Sequence, residues 1–404
     1  MQLSRMPNDP PAQKSKEASA ASSFDVSHER PQLPISAALP RIAAQTGLAP
    51  MQIAMEFARL SFGPGRVSLE DYVKYRLFDD SFLNGADKRA FVGQRRNMEL
   101  MVEINYRFDW LGLLSDKIAS ASYFGAYGLP IAPVRAIFAP GFATGAPNLL
   151  RSRDELRAFL MSAESYPLFG KPAESVQSLG ALALSGCDLK SGEVIDLLGA
   201  RQSVEVLLND IEAHYSAGYV FQELLQSHRA LLPIMGPRIG TVRVVTINTD
   251  GGAKVFRAGW KLPANGNIAD NFWRSGNLLA GVDLETGCIK RVTSGTGFEL
   301  RDVTLHPDTA ADLIGVGIPD WARMKEIAIE GARLLRHLGM VGWDMAVTDN
   351  GPLIVEANNA PDFTLVQLAD RRGVLDAEFQ EFLARQKREA AGHLKQNKEN
   401  YLKL

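Results

Sequence analysis

Cysteine is scarce in this chain, with two among 404 residues, Cys187 and Cys288. They lie far apart, share no metal-ligand spacing and are too few for the disulfide framework of a secreted domain, so a reducing cytoplasm is the expected setting. A surplus of positive charge is also missing. With 44 Lys plus Arg against 46 Asp plus Glu the formal charge is -2, which excludes the basic surface that tracks nucleic-acid phosphates. No stretch approaches the ~18 apolar residues a spanning helix needs, and "MQLSRMPNDPPAQKSKEASAASSF" lacks the apolar core of a signal peptide. A soluble chain is expected, with neither membrane nor nucleic acid as partner. Internal repeats and heptads are absent, and the six histidines are scattered.

What is present allows two or three domains and a large core. Residues 1–34, rich in Pro, Ser, Ala, Gln and Lys, bury too little apolar surface to offset the entropy of ordering and are read as a disordered arm. From 35 to 115 the pattern is helical. In "SLEDYVKYRLF" Ser68 stands as N-cap, acids fill the first turn, and apolar residues follow at helical spacing. "DKIASASYFGAYGLPIAPVRAIF" gives a helix stopped by Gly128 and then a Pro-punctuated extended run. Helices such as "RSRDELRAFLMSA" then alternate with strands such as "PLFGKPA" and "LGALALS", and strands dominate through "TVRVVTIN", "GAKVFRAGW" and "LAGVDLETGCIKRV". In "WARMKEIAIEGARLLRHLG", Met324, Ile327, Ala328, Leu334, Leu335 and Leu338 share a helical face that closes on Gly339 as C′ residue. A charged helix ends the chain.

The chemistry concentrates in residues 342–363, "GWDMAVTDNGPLIVEANNAPDF". A turn built only on Asn350 and Gly351 would set Asp344 against Ala357 and leave Glu356 on the opposite face. A three-residue loop of Asp349, Asn350 and Gly351, with Gly351 left-handed in a bulge, instead sets Asp344 opposite Glu356. Asn358 then shares their face, while Met345, Val347, Leu353 and Val355 point into a core. Facing carboxylates within about 5 Å repel unless a cation sits between them. An Asp, Glu and Asn trio suits Mg²⁺ or Mn²⁺, which favour hard oxygen ligands; a hairpin with both acids in water is the plainer alternative. Arg243, with apolar neighbours in "TVRVVT", requires an anion, either a phosphate-type oxygen or a carboxylate within the sheet.

The G-x-D, the short hairpin and E-x-N-x-x-P resemble the metal-binding signature of the ATP-grasp superfamily. Together with "DKIASASYFGAYGLPIAP", "TVRVVTI" and "DNF", in that order, they resemble the sugar-transfer-associated ATP-grasp family over residues 65–370. The resemblance implies an α+β chain: an ATP-grasp fold with two α/β lobes enclosing the nucleotide, preceded by an α-helical N-terminal region. The implied boundaries are an arm at 1–34, the helical region at 35–115, the N-terminal lobe at 116–222, the C-terminal lobe with the metal site at 223–375, and a final helix at 376–404.

The same resemblance implies ATP and Mg²⁺ (or Mn²⁺) as cofactors, the metal on Asp344, Glu356 and Asn358. It places Lys117 and Lys171 at the phosphates, and Gln222, Glu223 and Leu225 at adenine and ribose. Ser178 falls in a phosphate flap at 173–180, Asp270 and Asn271 in a loop beside the nucleotide, and Arg243 and Lys261 serve as catalytic cations. The flap departs from the family's Gly-rich pattern, keeping Gly180, Ser175 and Ser178, so its backbone approaches phosphate less freely. The implied activity is an ATP-dependent carboxylate-amine (or carboxylate-nucleophile) ligase working through an acyl phosphate and releasing ADP and phosphate. Its partners are a small-molecule carboxylate and an amine or other nucleophile, with a homodimer left open. A small-molecule kinase and a weakly catalytic nucleotide-binding module remain as alternatives.

Overall fold

A computed structural model describes residues 35–141, 148–174, 180–267 and 270–401. The expected arm at 1–34 and flap residues 175–179, Ser178 included, lie outside the described residues. Helices run through Ile35–Thr46, Pro50–Ser61, Leu69–Lys74, Gly85–Arg89, Gln94–Ile104, Phe108–Ser115 and Lys117–Ala126. The Ser68 cap forms as a reciprocal box: its hydroxyl accepts the Asp71 N–H at 3.0 Å, and the Asp71 carboxylate accepts the Ser68 N–H at 3.0 Å. That helix ends at Lys74, short of the "RLF" that follows, because Arg76 turns left-handed at φ 53°. Gly128, at φ 73°, follows the end of helix Lys117–Ala126 as expected.

Two seven-stranded sheets follow. The first contains β1 (Val134–Phe138), β2 (Leu149–Leu150), β3 (Leu168–Pro172), β4 (Leu182–Asp188), β5 (Glu193–Asp196), β6 (Arg201–Ser203) and β7 (Tyr219–Glu223), in the order β2-β1-β7-β3-β4-β5-β6. The second contains β8 (Val242–Thr249), β9 (Gly252–Leu262), β10 (Leu278–Val282), β11 (Ile289–Ser294), β12 (Arg301–Val303), β13 (Met340–Thr348) and β14 (Gly351–Asn358), in the order β12-β11-β10-β9-β8-β13-β14.

One face of the second sheet buries Val244, Trp260 and Trp343 against Met324, Ile327 and Ala328 of helix Trp321–Leu334. The helix ends at Leu334 with Leu335 as cap, so Gly339 is not its C′ residue. Gly339 serves a close approach instead: a β-carbon there would lie 2.6 Å from the Gln386 side chain and 2.9 Å from that of Ile104. The other face is covered partly by helix Phe363–Asp370, whose Leu365, Leu368 and Ala369 join Leu279 and the N-terminal Tyr72 and Phe78 in a second cluster. The final helix, Ala377–Tyr401, docks through Phe379, stacked on Phe256 at 5.4 Å. Among the described residues no helix is long and apolar enough to cross a membrane.

Candidate nucleotide and metal site

Strands β13 and β14 are joined by two residues, Asp349 and Asn350, because Thr348 already pairs with Gly351. Continuing the register from Met345 opposite Ile354 would set Asp344 against Val355. A bulge at Val355 shifts the register, so that Asp344 faces Glu356 and Gly342 faces Asn358. The facing acids are therefore as expected, but the device that aligns them is a bulge within β14 and not a three-residue loop. The core face changes accordingly. Met345 and Val347 pack with Ile354 and Ala357, while Leu353 and Val355, expected in the core, are half-buried. Strand alternation holds only until a bulge resets its phase.

The bulge also joins the sheets. A bulged residue leaves the ladder, and the Val355 carbonyl accepts a hydrogen bond from Lys171 Nζ at 3.1 Å, across from β3 of the first sheet. Burial pushes the Lys171 ammonium down to about 8; Glu356 and Asp344 oppose that shift and Lys117 adds to it. Lys117 is tied to the same place by its own N–H, which donates to the Ala173 carbonyl at 3.1 Å. Lys117, Lys171, Glu356 and Asp344 thus meet at the seam between the sheets.

Asp344 is held by two cations. Arg243 lies opposite it on β8 and clamps it in a fork, Nε to Oδ1 at 2.6 Å and Nη2 to Oδ2 at 2.9 Å. Lys261 Nζ lies 3.2 Å from Asp344 Oδ2 and 3.7 Å from Asp270 Oδ2. Asp270 in turn accepts the Thr241 N–H at 2.7 Å and the Thr241 hydroxyl. A row of alternating charge results: Asp270, Lys261, Asp344, Arg243. Burial alone would raise the Asp344 carboxyl, but Arg243 and then Lys261 hold it well below the usual carboxylate range. Of the two anions considered for Arg243, the sheet carboxylate is the one in contact.

Glu356 has no hydrogen bond or ion pair among the described residues, and the Asn358 amide nitrogen is buried without a partner. Beyond β7 the chain crosses toward the second sheet, where the His228 N–H meets the Val347 carbonyl at 3.0 Å. Along this crossing, among the described residues, no hydrogen bond engages the backbone of half-buried Leu225. Gln222 is buried, its amide donating to the Ala132 carbonyl at 3.2 Å. Glu223 is exposed and stands 3.8 Å from Arg135. Asn271 shapes its loop: its side chain accepts the Trp273 N–H at 3.0 Å and its carbonyl the Asn277 amide at 2.8 Å.

A family comparison places this geometry. The sugar-transfer associated ATP-grasp family matches residues 95–381. The chain belongs to that family. Among solved structures, this ATP-grasp chain is similar to the D-alanine-D-alanine ligase of Coxiella burnetii, at 13% identity over 72% of this chain and 61% of that one, with a TM-score of 0.39. It is similar to the D-alanine-D-alanine ligase of Bacillus anthracis at 13% identity, covering 70% of each chain, TM-score 0.39. The ATP-grasp ligase PsnB complexed with minimal precursor aligns at 16% identity over 69% of this chain and 62% of that one, TM-score 0.37. The chain spans about 61% of the length of the first of these. No curated protein matches it.

The ATP-grasp family implies a divalent cation, and the donor set here fits one. A carboxylate offers about four acceptor positions; Arg243 and Lys261 occupy three on Asp344, one on Oδ1 and two on Oδ2. Asp344 therefore retains an acceptor position beside the unengaged Glu356 and Asn358. Sequence reasoning missed three parts of this ATP-grasp seam: the Val355 carbonyl, Thr241 as the anchor of Asp270, and Asp362, which caps helix Phe363–Asp370 and acts electrostatically on Arg243. Asp362 carried a legible signal, an acid directly before an apolar helical run. The other two did not, since a backbone carbonyl has no residue type and a strand-end threonine is common.

Proposed function

We propose that this ATP-grasp chain is an ATP-dependent ligase that activates a small-molecule carboxylate and passes its acyl group to an amine or another nucleophile. The single observation supporting this is the meeting of Lys171 from one sheet with the bulged, acid-bearing hairpin of the other. Phosphate-binding cations and metal-binding oxygens then face one another across a seam, as phosphoryl transfer requires.

In this reading Lys171 and Lys117 take phosphate oxygens, the Leu225 backbone takes the adenine edge, and Glu223 takes the ribose hydroxyls. Asp344, Glu356 and Asn358 hold Mg²⁺ (or Mn²⁺), which when bound would neutralise phosphate charge. Arg243 and Lys261 keep Asp344 ionised and present positive charge to the transferring group. The substrate carboxylate oxygen attacks the γ-phosphorus, the bond to the bridging oxygen breaks, and ADP leaves. The nucleophile then attacks the acyl carbon, losing a proton as phosphate departs. Positioning and electrostatics suffice, and no protein nucleophile is required.

The test is a screen of amino acids, sugar acids and amines with Mg²⁺ and ATP, reading ADP and inorganic phosphate together. Equal release of both, with a coupled product by mass spectrometry, is expected. ADP without phosphate would make the chain a kinase. Nucleotide binding with neither product across the screen would leave only a binding module.

A further inference from the structure

Away from the seam, a cavity of about 310 Å³ opens beside the end of helix Trp321–Leu334, the β8–β9 turn and the final helix. Asn248 on its wall stands about five residues along β8 from Arg243, or ~16 Å at ~3.3 Å per residue. Four arginines line the cavity, Arg107, Arg333, Arg336 and Arg385, with Glu389 as the lining carboxylate. In a chain of formal charge -2 this is a local concentration of one sign.

Two of the four are held in place. Arg107 is braced by Asp109, Nε to Oδ1 at 2.9 Å, and donates to His337 Nδ1 at 3.3 Å. Arg385 is braced by Asp250 at 3.0 Å and Glu389 at 3.5 Å, and donates to the Asn248 carbonyl. The other two, Arg333 and Arg336, are exposed and have no ion pair among the described residues. Burial, then Arg107 and Arg336, push the His337 imidazole below its ordinary value, so the ring already senses this field.

Arg333 and Arg336 lie at or just beyond a helix C-terminus, where the backbone dipole favours cations. That accounts for these two alone. Arg107 and Arg385 come from separate elements and converge on the same space. We propose that this cavity is a second anion site, distinct from the nucleotide seam, that takes a small phosphate-bearing molecule. Guanidinium forks match phosphate oxygens in pairs, and the volume lies at the small end of ligand pockets, ~300–1,000 Å³.

The experiment uses inorganic phosphate as probe, titrated by ³¹P NMR against the full chain. The titration is run without Mg²⁺ on the K171M background, which lacks the seam's buried phosphate-binding ammonium, so that no phosphate-bearing blocker competes for the cavity. Saturable binding at one site is expected in this background, weakened at least tenfold when R333Q/R336Q is added and unchanged when R201Q, an exposed arginine of the first sheet, is added. Thermal unfolding of the double variant, and R336Q alone as a milder change, separate lost binding from lost fold. No saturable binding in the K171M background, or equal affinity in a folded R333Q/R336Q, overturns the proposal.

Discussion

Lys171 comes into the seam from the first sheet with a backbone carbonyl as its hydrogen-bond partner, whereas Arg243 comes from the second sheet already clamped to Asp344. Lys171 is buried and Arg243 nearly so, yet their surroundings differ in kind. Arg243 belongs to an interlocked row in which each charge answers another, so its removal leaves Asp344 buried with one cation fewer. Lys171 is buried against the preference of its own ammonium, which burial depresses. The second sheet has therefore placed its charges within the fold's own stability, and the first holds a buried charge with no ion pair among the described residues.

The largest expected effect that would sharpen this contrast is on folding. R243M should destabilise the chain by about 3–5 kcal/mol in denaturant unfolding, the cost of breaking a buried pair from one side. D344N should act in the same direction, because Asp344 sits between two cations and does not merely repel Glu356. K171M removes an ammonium whose burial already costs stability, so it should destabilise the chain by no more than about 1 kcal/mol, the scale of one neutral-acceptor hydrogen bond, while weakening Mg²⁺-ATP binding at least tenfold. If K171M unfolds as readily as R243M, the contrast between the sheets is broken.

E356Q separates metal chemistry from folding within the second sheet. No ion pair engages Glu356 among the described residues, so unfolding should move by less than ~0.5 kcal/mol, as for an ordinary surface change. Metal-dependent ADP release should fall at least a hundredfold.

The last effect is in pH. Lys171, lowered to about 8 by burial, loses its charge as pH rises through that value. Nucleotide affinity should fall above pH 8 in the wild type and stay flat in K171M. The unfolded lysine titrates near 10.4, so between about 8 and 10.4 the unfolded chain binds more protons, and stability from this group rises with pH across that window. Opposite slopes for binding and stability, both absent in K171M, would confirm that one group is responsible.

Local features were legible from the chain. The Ser68 cap, the Gly128 stop, the strand-forming runs that become β8 and β9, and the presence of an acid-bearing hairpin rest on residues within a few positions of one another. The bulge was not. A two-residue turn with a bulge in β14 and a three-residue loop both place Asp344 opposite Glu356, and the apolar pattern fits either until Ile354 is seen buried in place of Leu353. Gly339 misled for a related reason: a glycine after a helix suits a left-handed stop, but here it answers crowding from Gln386 and Ile104.

The sequence by itself determined that Glu356 and Asn358 would share one face of a strand, because alternation along a strand is a property of the local backbone; whether Asp344 joined them hung on the register that the bulge sets. Only the tertiary structure decided which partners those groups meet. Arg243 and Asp344 are 101 residues apart, and Lys171 and Val355 are 184. The first contact forms when β8 and β13 pair within one sheet and the second only when the two sheets close on one another, and many cations along the chain could have met the same acid until packing selected one.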